Sequence, residues 1–168
     1  MRDFFKLGFI GLCMVFAMSI PAHGEFMYFM ENPLVGEPAP NAVLETNRGN
    51  RIDLAEFRKD KNAIIYFWAT WCPHCHLELK ELNKHQEEFT KKDIVVIPIN
   101  VEDTKKAVEK YLKRNKIDME IFLDPDYSFA ESYALIGVPT FFFVNKDGII
   151  TAVEHSIVEN LTEIFAED

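Results

Sequence analysis

The stretch FWATWCPHCHLELKEL, residues 67–82, contains the residues on which the interpretation of this chain depends. Two cysteines, Cys72 and Cys75, stand three positions apart; His74 lies between them and His76 directly follows Cys75. This pattern fits a redox-active dithiol, and it also fits the C-x-x-C-H signature of covalent haem attachment, with His76 as the iron ligand. A metal site that uses some of these four side chains is a third interpretation. The residues around the motif distinguish between these three interpretations.

The cysteine pair stands where a strand pattern gives way to a helix pattern. Residues 62–68, NAIIYFW, form a largely apolar run of β-favouring types, which is typical of a buried central strand. After Cys72 the apolar spacing becomes helical, and Pro73 suits a first helical turn because it has no N–H to leave unpaired. A thiol at this point faces free backbone N–H groups and the positive end of the helix dipole, which favours the thiolate. We therefore predict that Cys72 is the nucleophile and Cys75 the resolving thiol.

The first residues of the chain have the features of an export signal. Residues 1–24 begin with a weakly positive segment and continue with a fourteen-residue apolar run, Leu7 to Ile20. That run would span about 21 Å as a helix, short of the ~30 Å hydrocarbon core, which favours a cleaved signal over the alternative of an uncleaved anchor. Cys13 would leave with the signal, so Cys72 and Cys75 would be the only cysteines of the exported chain. An exported dithiol lies where disulfides persist.

Length and charge restrict the remaining possibilities. The chain has 168 residues, of which 48% are hydrophobic, and this suffices for one globular domain with its own core. We expect residues 25–34 to form an irregular lead-in and residues 35–168 to form that domain. The net charge is −9 and no basic run occurs, so nucleic acid is not an expected partner.

The order of predicted elements is β-β-(α)-β-α-β-α-β-α-β-β-α. Turn residues at 47–50 and 145–148 predict two hairpins, and Asp53 and Thr104 are expected to cap helices. A closing helix is expected to begin near Ser156. Strands that alternate with helices, followed by a hairpin and a last helix, predict an α/β fold in which helices cover both faces of a mixed sheet.

Three motifs belong together: VGEPAP from residue 35, FWATWCPHC from residue 67 and GVPTFFFVNKDG from residue 137. With these motifs the chain resembles the thioredoxin superfamily, and more closely its exported thiol-disulfide oxidoreductases of the TlpA/ResA/CcmG type. The resemblance implies a thioredoxin-like fold, here with an N-terminal β-hairpin extension. It also implies that Pro139 is a cis-proline beside the dithiol and that the Val138 backbone binds an incoming partner strand. A cis X–Pro bond is a minority state, so this expectation is specific.

The chain departs from its relatives at two places. Tyr66 stands where thioredoxin has a buried acid, whereas Glu78, three residues after Cys75, matches the glutamate of the TlpA-like pattern and could exchange a proton with the resolving thiol. The dipeptide Pro73-His74 resembles the DsbA oxidases instead, and a histidine there would stabilise the Cys72 thiolate. Only 63 residues separate Cys75 from the proline at 139, too few for the inserted helical domain of a DsbA protein.

Other interpretations of the motif explain less of the sequence. Haem attachment does not account for a preceding buried strand or for the cis-proline motif, and consecutive residues of a helix start point in different directions and cannot easily enclose one metal ion. Peroxiredoxins share VGEPAP but need a threonine three residues before the reactive cysteine, where this chain has Ala69; Thr70 is one position off. A module that only binds thiol clients would need neither Cys72 nor Cys75.

The sequence therefore predicts an exported thiol-disulfide oxidoreductase, more in keeping with a reductase or maturation factor than with a DsbA-like oxidase. Trp71 and Trp68 are expected to line the site, with Trp71 the more exposed of the two. We expect no cofactor, metal or haem. The expected partners are cysteine-containing client proteins and a redox partner that could be a membrane protein, in a periplasmic or other extracytoplasmic compartment.

Overall fold

The computed structural model describes residues 32–157 and 164–165 of the chain. The predicted signal peptide, nearly all of the lead-in and most of the predicted closing helix lie outside these residues. Within the described part of the chain, no helix combines the length and the apolar character needed to cross a membrane.

In the described part of the chain, seven strands and five helices follow one another in the predicted order, except that two helices stand where one was expected after the cysteine pair. The strands are β1 (Val43–Thr46), β2 (Arg51–Asp53), β3 (Asn62–Trp68), β4 (Ile94–Val101), β5 (Phe122–Asp124), β6 (Thr140–Val144) and β7 (Ile150–Glu154). The helices are α1 (Leu54–Arg58), α2 (Pro73–Lys84), α3 (Gln86–Lys91), α4 (Lys105–Asn115) and α5 (Ser128–Ser132).

All seven strands form one mixed sheet in the order β2-β1-β5-β4-β3-β6-β7. The central strand β3 runs parallel to β4 and antiparallel to β6. Every residue of β6 and six of the seven residues of β3 are buried. Since successive side chains of a strand point to opposite faces, both faces of the sheet are covered at its centre. This confirms the predicted thioredoxin-like α/β fold.

The N-terminal hairpin extends this sheet. β1 pairs with β2 around a turn in which Gly49 has a φ of +85°, a conformation that glycine adopts without steric cost. β1 also pairs antiparallel with β5, so the hairpin continues the central sheet at one edge. The predicted caps are present: the Asp53 side chain accepts the N–H of Glu56, and Thr104 Oγ1 accepts the N–H of Ala107.

The helical pattern after the cysteine pair is interrupted, where the sequence predicted a continuous helix. α2 ends at Lys84 and α3 starts at Gln86, with His85 between them at φ −102° and ψ 14°. Leu82 on one side of the break and Phe89 on the other are both buried. The helical spacing of apolar residues continues across His85, so the sequence pattern does not indicate that the helix is interrupted there.

An aromatic cluster holds the end of α5 against the sheet. The Tyr133 ring lies 5.2 Å from that of Phe67 in β3 and 4.8 Å from that of Phe142 in β6. Its hydroxyl donates to the Pro40 carbonyl at 2.9 Å, which ties the segment before β1 to the core. Tyr133 is completely buried, and burial raises the pKa of its phenol.

We expect Tyr133→Phe to lower the free energy of unfolding by about 1 kcal/mol, because it removes a buried hydrogen bond and leaves the Pro40 carbonyl unpaired. Tyr111→Phe is the matched control. The Tyr111 hydroxyl is buried and has no hydrogen-bond partner among the described residues, so its removal should cost nothing. Urea denaturation of both variants measures the difference. Equal losses would contradict this account of the Tyr133 hydroxyl.

Candidate active site

The two cysteines lie at the junction of β3 and α2 and are joined by a disulfide. Their Cα atoms are 5.3 Å apart. Cys72 is the N-cap of α2, and its Sγ accepts the backbone N–H of Cys75 at 3.2 Å. Pro73 occupies the first helical turn, as its missing N–H predicts. A negative charge on Cys72 would therefore be stabilised by the helix terminus and by this N–H group.

The two sulfurs differ in what surrounds them. Cys75 is completely buried, whereas Cys72 retains 4% exposure at the surface of the site. Cys72 Sγ also lies 3.7 Å from the Val138 carbonyl oxygen, although Val138 follows 66 residues later in the chain. An attacking client can approach only the sulfur that has access to the surface, and this favours Cys72 over Cys75 as the first to react.

The loop before β6 adopts the geometry that the resemblance implied. The Val138–Pro139 peptide bond is cis. Val138 is partly exposed, and its carbonyl faces Cys72. Thr140 begins β6 and donates its hydroxyl hydrogen to the Gly137 carbonyl at 2.8 Å, which closes the loop on itself.

His155 is a further residue at this loop that the sequence did not indicate. Its Nδ1 lies 3.0 Å from the Pro139 carbonyl oxygen and 3.2 Å from the Thr140 hydroxyl oxygen. A carbonyl oxygen only accepts, so Nδ1 carries the hydrogen of the bond to Pro139. His155 follows β7, and only the antiparallel pairing of β7 with β6 brings it to the proline.

A carboxylate fixes the segment that precedes Cys72. Asp103 accepts the backbone N–H of Thr70 at 2.6 Å and the Thr70 hydroxyl at 2.7 Å. It also accepts an N–H of the Asn100 side chain at 3.0 Å, and Asn100 is fully buried at the end of β4. The parallel pairing of β3 and β4 places the ends of both strands at the same edge of the sheet. Asp103 thus holds the turn through which the chain passes from β3 to Cys72.

Tyr66 occupies the place of thioredoxin's buried acid and performs a structural task there. Its side chain is fully buried, and its hydroxyl donates to the Cys75 carbonyl at 2.9 Å. Burial raises the pKa of this phenol far above its ordinary value, and the negative charge of Glu78 raises it further. Tyr66 is therefore a neutral hydrogen-bond donor that holds the first turn of α2 against β3.

Glu78 is half-buried one turn after Cys75 on α2. Its Oε2 accepts the backbone N–H of Ile157 at 3.2 Å. Its charge acts on the phenol of Tyr66, whose hydroxyl in turn bonds the Cys75 backbone. Residues three apart on a helix share a face, so Glu78 and Cys75 lie on the same side of α2. The expected exchange of a proton between them stays a prediction.

The remaining aromatic and histidine residues of the motif divide between surface and interior. Trp71 is 60% exposed beside Cys72, as expected. Trp68 is fully buried, with its ring 5.4 Å from that of Tyr111. The expectation that Trp68 lines the site was therefore wrong. His74 is exposed on the first turn of α2. His76, on the same turn, is half-buried.

The ring of His76 packs 4.7 Å from that of Tyr111. Its Nε2–H donates to the Thr70 carbonyl at 2.9 Å. Within the described residues, no three His, Cys, Asp or Glu side chains are grouped as metal ligands.

We expect Asp103→Ala to lower the free energy of unfolding by about 2 kcal/mol, because several hydrogen bonds to one carboxylate are lost and the Thr70 N–H is left unpaired. Asp118→Ala is the control. Asp118 makes an exposed ion pair with Arg48, so its loss should cost less than about 1 kcal/mol. Guanidinium denaturation compares the two variants, and equal effects would argue against a role of Asp103 in fixing the turn.

Two relatives carry the name of a thiol-disulfide oxidoreductase. ResA of Bacillus subtilis (strain 168) is 28% identical over 167 residues, which cover 99% of this chain and 90% of that protein. ResA of Bacillus thuringiensis subsp. konkukian (strain 97-27) is 30% identical over 114 residues, covering 68% of this chain and 65% of that protein.

Solved structures show the same fold. StoA from Bacillus subtilis superposes with a TM-score of 0.65 at 25% identity, covering 80% of this chain and all of that one. A thiol:disulfide interchange protein of the thioredoxin family from Chlorobium tepidum TLS superposes with a TM-score of 0.65 at 23% identity. The superposition covers 76% of this chain and 92% of that one.

The chain is therefore a thiol-disulfide oxidoreductase with a thioredoxin-like fold, and it is similar to the ResA proteins. The model of the AhpC/TSA family matches residues 35–153, from the first predicted motif to the penultimate residue of β7. The chain therefore belongs to the AhpC/TSA family.

Proposed function

We propose that this chain, with Cys72 and Cys75 reduced, donates electrons to disulfides of exported proteins. The observation that carries the proposal is the unequal setting of the two sulfurs. Cys72 caps a helix and has access to the surface beside Val138, while Cys75 is completely buried one turn further on. A nucleophile needs both access and a stabilised anion, and a resolving thiol needs only to reach the nucleophile.

The reaction then proceeds in two displacements. The Cys72 thiolate attacks one sulfur of a client disulfide, so that a Cys72–client bond forms and the other client sulfur leaves as a thiolate. The Cys75 thiolate next attacks the Cys72 sulfur, which forms the Cys72–Cys75 disulfide and releases the second client thiolate. Two electrons pass to the client and its two thiolates take up two protons. A dithiol of an upstream reductant returns the enzyme to its starting state by the reverse exchange.

Val138 and Pro139 serve this reaction by holding the client. An extended client segment would pair with the Val138 backbone, next to the attacking sulfur. The contacts of Thr140 and His155 support this loop from behind. Trp71 forms an exposed shoulder of the same surface.

Glu78 accepts the proton of Cys75 in this scheme. A buried thiol is a poor nucleophile until it loses its proton, so the resolving step needs a base near Cys75. The position of Glu78 on the same helix and its electrostatic effect on Tyr66 support this assignment. The transfer runs directly or through water.

Reduction of peroxide is not the activity that we propose, although the VGEPAP motif also occurs in peroxiredoxins. Peroxiredoxins need a threonine three residues before the reactive cysteine, where this chain has Ala69. The hydroxyl of Thr70, the next residue, is already bonded to Asp103 at 2.7 Å. Neither residue offers a free hydroxyl for a peroxide.

Oxidation of clients is the second candidate function, and the dipeptide Pro73-His74 favours it. His74 is exposed on the turn that follows Cys72, where a positive charge would stabilise the thiolate and so make the disulfide more oxidising. The weaker resemblance to DsbA proteins outside this dipeptide leads us to prefer the reductase.

The compartment and the partners follow from the same proposal. The features of residues 1–24 and the dithiol itself support export to a periplasmic or other extracytoplasmic compartment. The clients are cysteine-containing proteins, and the upstream reductant could be a membrane protein, because a reductant is otherwise scarce outside the cytoplasm. No nucleic acid, metal or haem takes part.

We expect Cys72→Ser to abolish reduction of insulin disulfides and Cys75→Ser to accumulate a mixed disulfide with the client, because only the nucleophile is then left. Insulin turbidity and non-reducing gel electrophoresis with mass spectrometry measure the two outcomes. If the parent protein and Cys72→Ser were equally inert while both still bound a client, the chain would be a binding module and not an enzyme.

The equilibrium of the Cys72–Cys75 couple with glutathione decides the direction of electron flow. We expect a reduction potential near that of thioredoxin, about −270 mV, because a reductase must hold a stable disulfide as its product. Quantifying both redox forms by thiol alkylation in glutathione buffers gives the value. A potential near about −120 mV, in the DsbA range, would reject the reductase in favour of the oxidase.

A further inference from the structure

A cleft next to Cys72 has no assigned role in the exchange of disulfides. Its volume is about 260 Å³, and it is lined by Trp71, Val101, Glu102, Tyr127, Ile136, Gly137 and Val138. Trp71 and Val138 border the reactive sulfur, so a client joined to Cys72 has its neighbouring residues over this cleft. Pockets for drug-sized ligands occupy about 300–1,000 Å³, so a single long side chain is a better match for its size.

The cleft carries a negative charge with no internal counter-ion. None of its lining residues is a lysine or arginine. Glu102 is exposed, and its carboxylate makes no ion pair or hydrogen bond with any residue in 32–157. An exposed, unpaired carboxylate at the wall of a cleft attracts a cation and repels an anion.

Tyr127 lines the same cleft, and its phenol is affected by the carboxylates around it. Burial raises its pKa, and the negative charges of Glu102, Asp124 and Glu131 raise it further. The Asp124 carboxylate is itself bonded to two backbone N–H groups at the start of α5, so it is not available to a ligand. Glu102 is the exposed carboxylate in the lining of the cleft, and it is the charge that a ligand there would meet.

The other walls of the cleft are apolar and exposed. Ile136 is 97% exposed and Trp71 is 60% exposed, and both belong to the small set of large apolar side chains that are exposed among the described residues. The methylene stem of a lysine or arginine packs on such surfaces while its charged end stays at the rim. An indole face also attracts a cation directly.

We propose that this cleft binds a lysine or arginine side chain close to the reacting cysteine of the client, with its stem between Trp71 and Ile136 and its charge at Glu102. The inference rests on the proposed function and narrows its substrates to cysteines with a basic neighbour. Clients with an acidic neighbour are disfavoured by the same carboxylate.

Matched peptides test this selectivity. Disulfide-linked peptides that differ only in carrying arginine, leucine or glutamate on both sides of one cysteine are mixed with the pre-reduced full chain, and single-turnover rate constants are measured by stopped flow. We expect the arginine peptide to react about tenfold faster than the glutamate peptide, with leucine between them. The ratio should fall as salt is raised.

Variants assign the effect to the cleft. Glu102→Gln should reduce the ratio of arginine to glutamate rates to about threefold or less, and Glu102→Lys should invert it. Glu109→Gln, the same change at an exposed position of α4, should leave the ratio as in the parent. Glu102 is exposed, so none of these changes affects the core.

Three results would overturn the inference. Equal rates for the arginine and glutamate peptides would remove the selectivity. A ratio that persists in Glu102→Gln and Glu102→Lys would attribute the selectivity to the overall charge of −9 and not to the cleft. Hydroxyethyl disulfide, small and uncharged, separates the two proposals. A parent protein inert towards it overturns the proposed function and this inference together, whereas activity towards it with unselective peptides overturns this inference alone.

Discussion

The bond from the Cys75 N–H to the Cys72 sulfur is the interaction on which the site depends. It exists because β3 ends just before α2 begins, so that one sulfur takes the place of the capping side chain which most helices obtain from serine, threonine or aspartate. A capping sulfur is more stable as an anion, since the unpaired N–H groups of the first turn point at it. The same geometry buries Cys75 and leaves it within reach of Cys72.

Several distant segments then hold that junction in place, each at the same edge of the sheet. Asp103 fixes the turn before Cys72, and Tyr66 holds the turn after it by bonding the Cys75 carbonyl. The loop with the cis-proline closes the site on its other side and is itself held by His155. Because β3 lies between the parallel β4 and the antiparallel β6, the segment after β4 and the loop before β6 both lie at the end of β3 that leads to Cys72.

The polar groups near Cys75 are arranged differently from those expected in thioredoxin. A buried acid on β3 is replaced by Tyr66, which stays neutral and donates a hydrogen bond, and a carboxylate is present instead on α2 at Glu78. Keeping the acid off the central strand avoids the cost of a charge buried among apolar side chains. Glu78 lies half-buried, where its carboxylate also holds the segment after β7 through Ile157.

The sequence alone determined the fold and the chemistry of the pair, because both depend on local patterns. The apolar run of β3, the position of Pro73 and the spacing of Cys72 and Cys75 are all readable within twenty residues. Only the tertiary structure revealed that Asp103 and His155 support the site, that Trp68 is buried, and that Glu102 lies beside Trp71 in one cleft. These contacts depend on which strands pair and in which register. The local pattern of apolar residues predicts that a strand forms, but it does not predict which distant residues the sheet brings together.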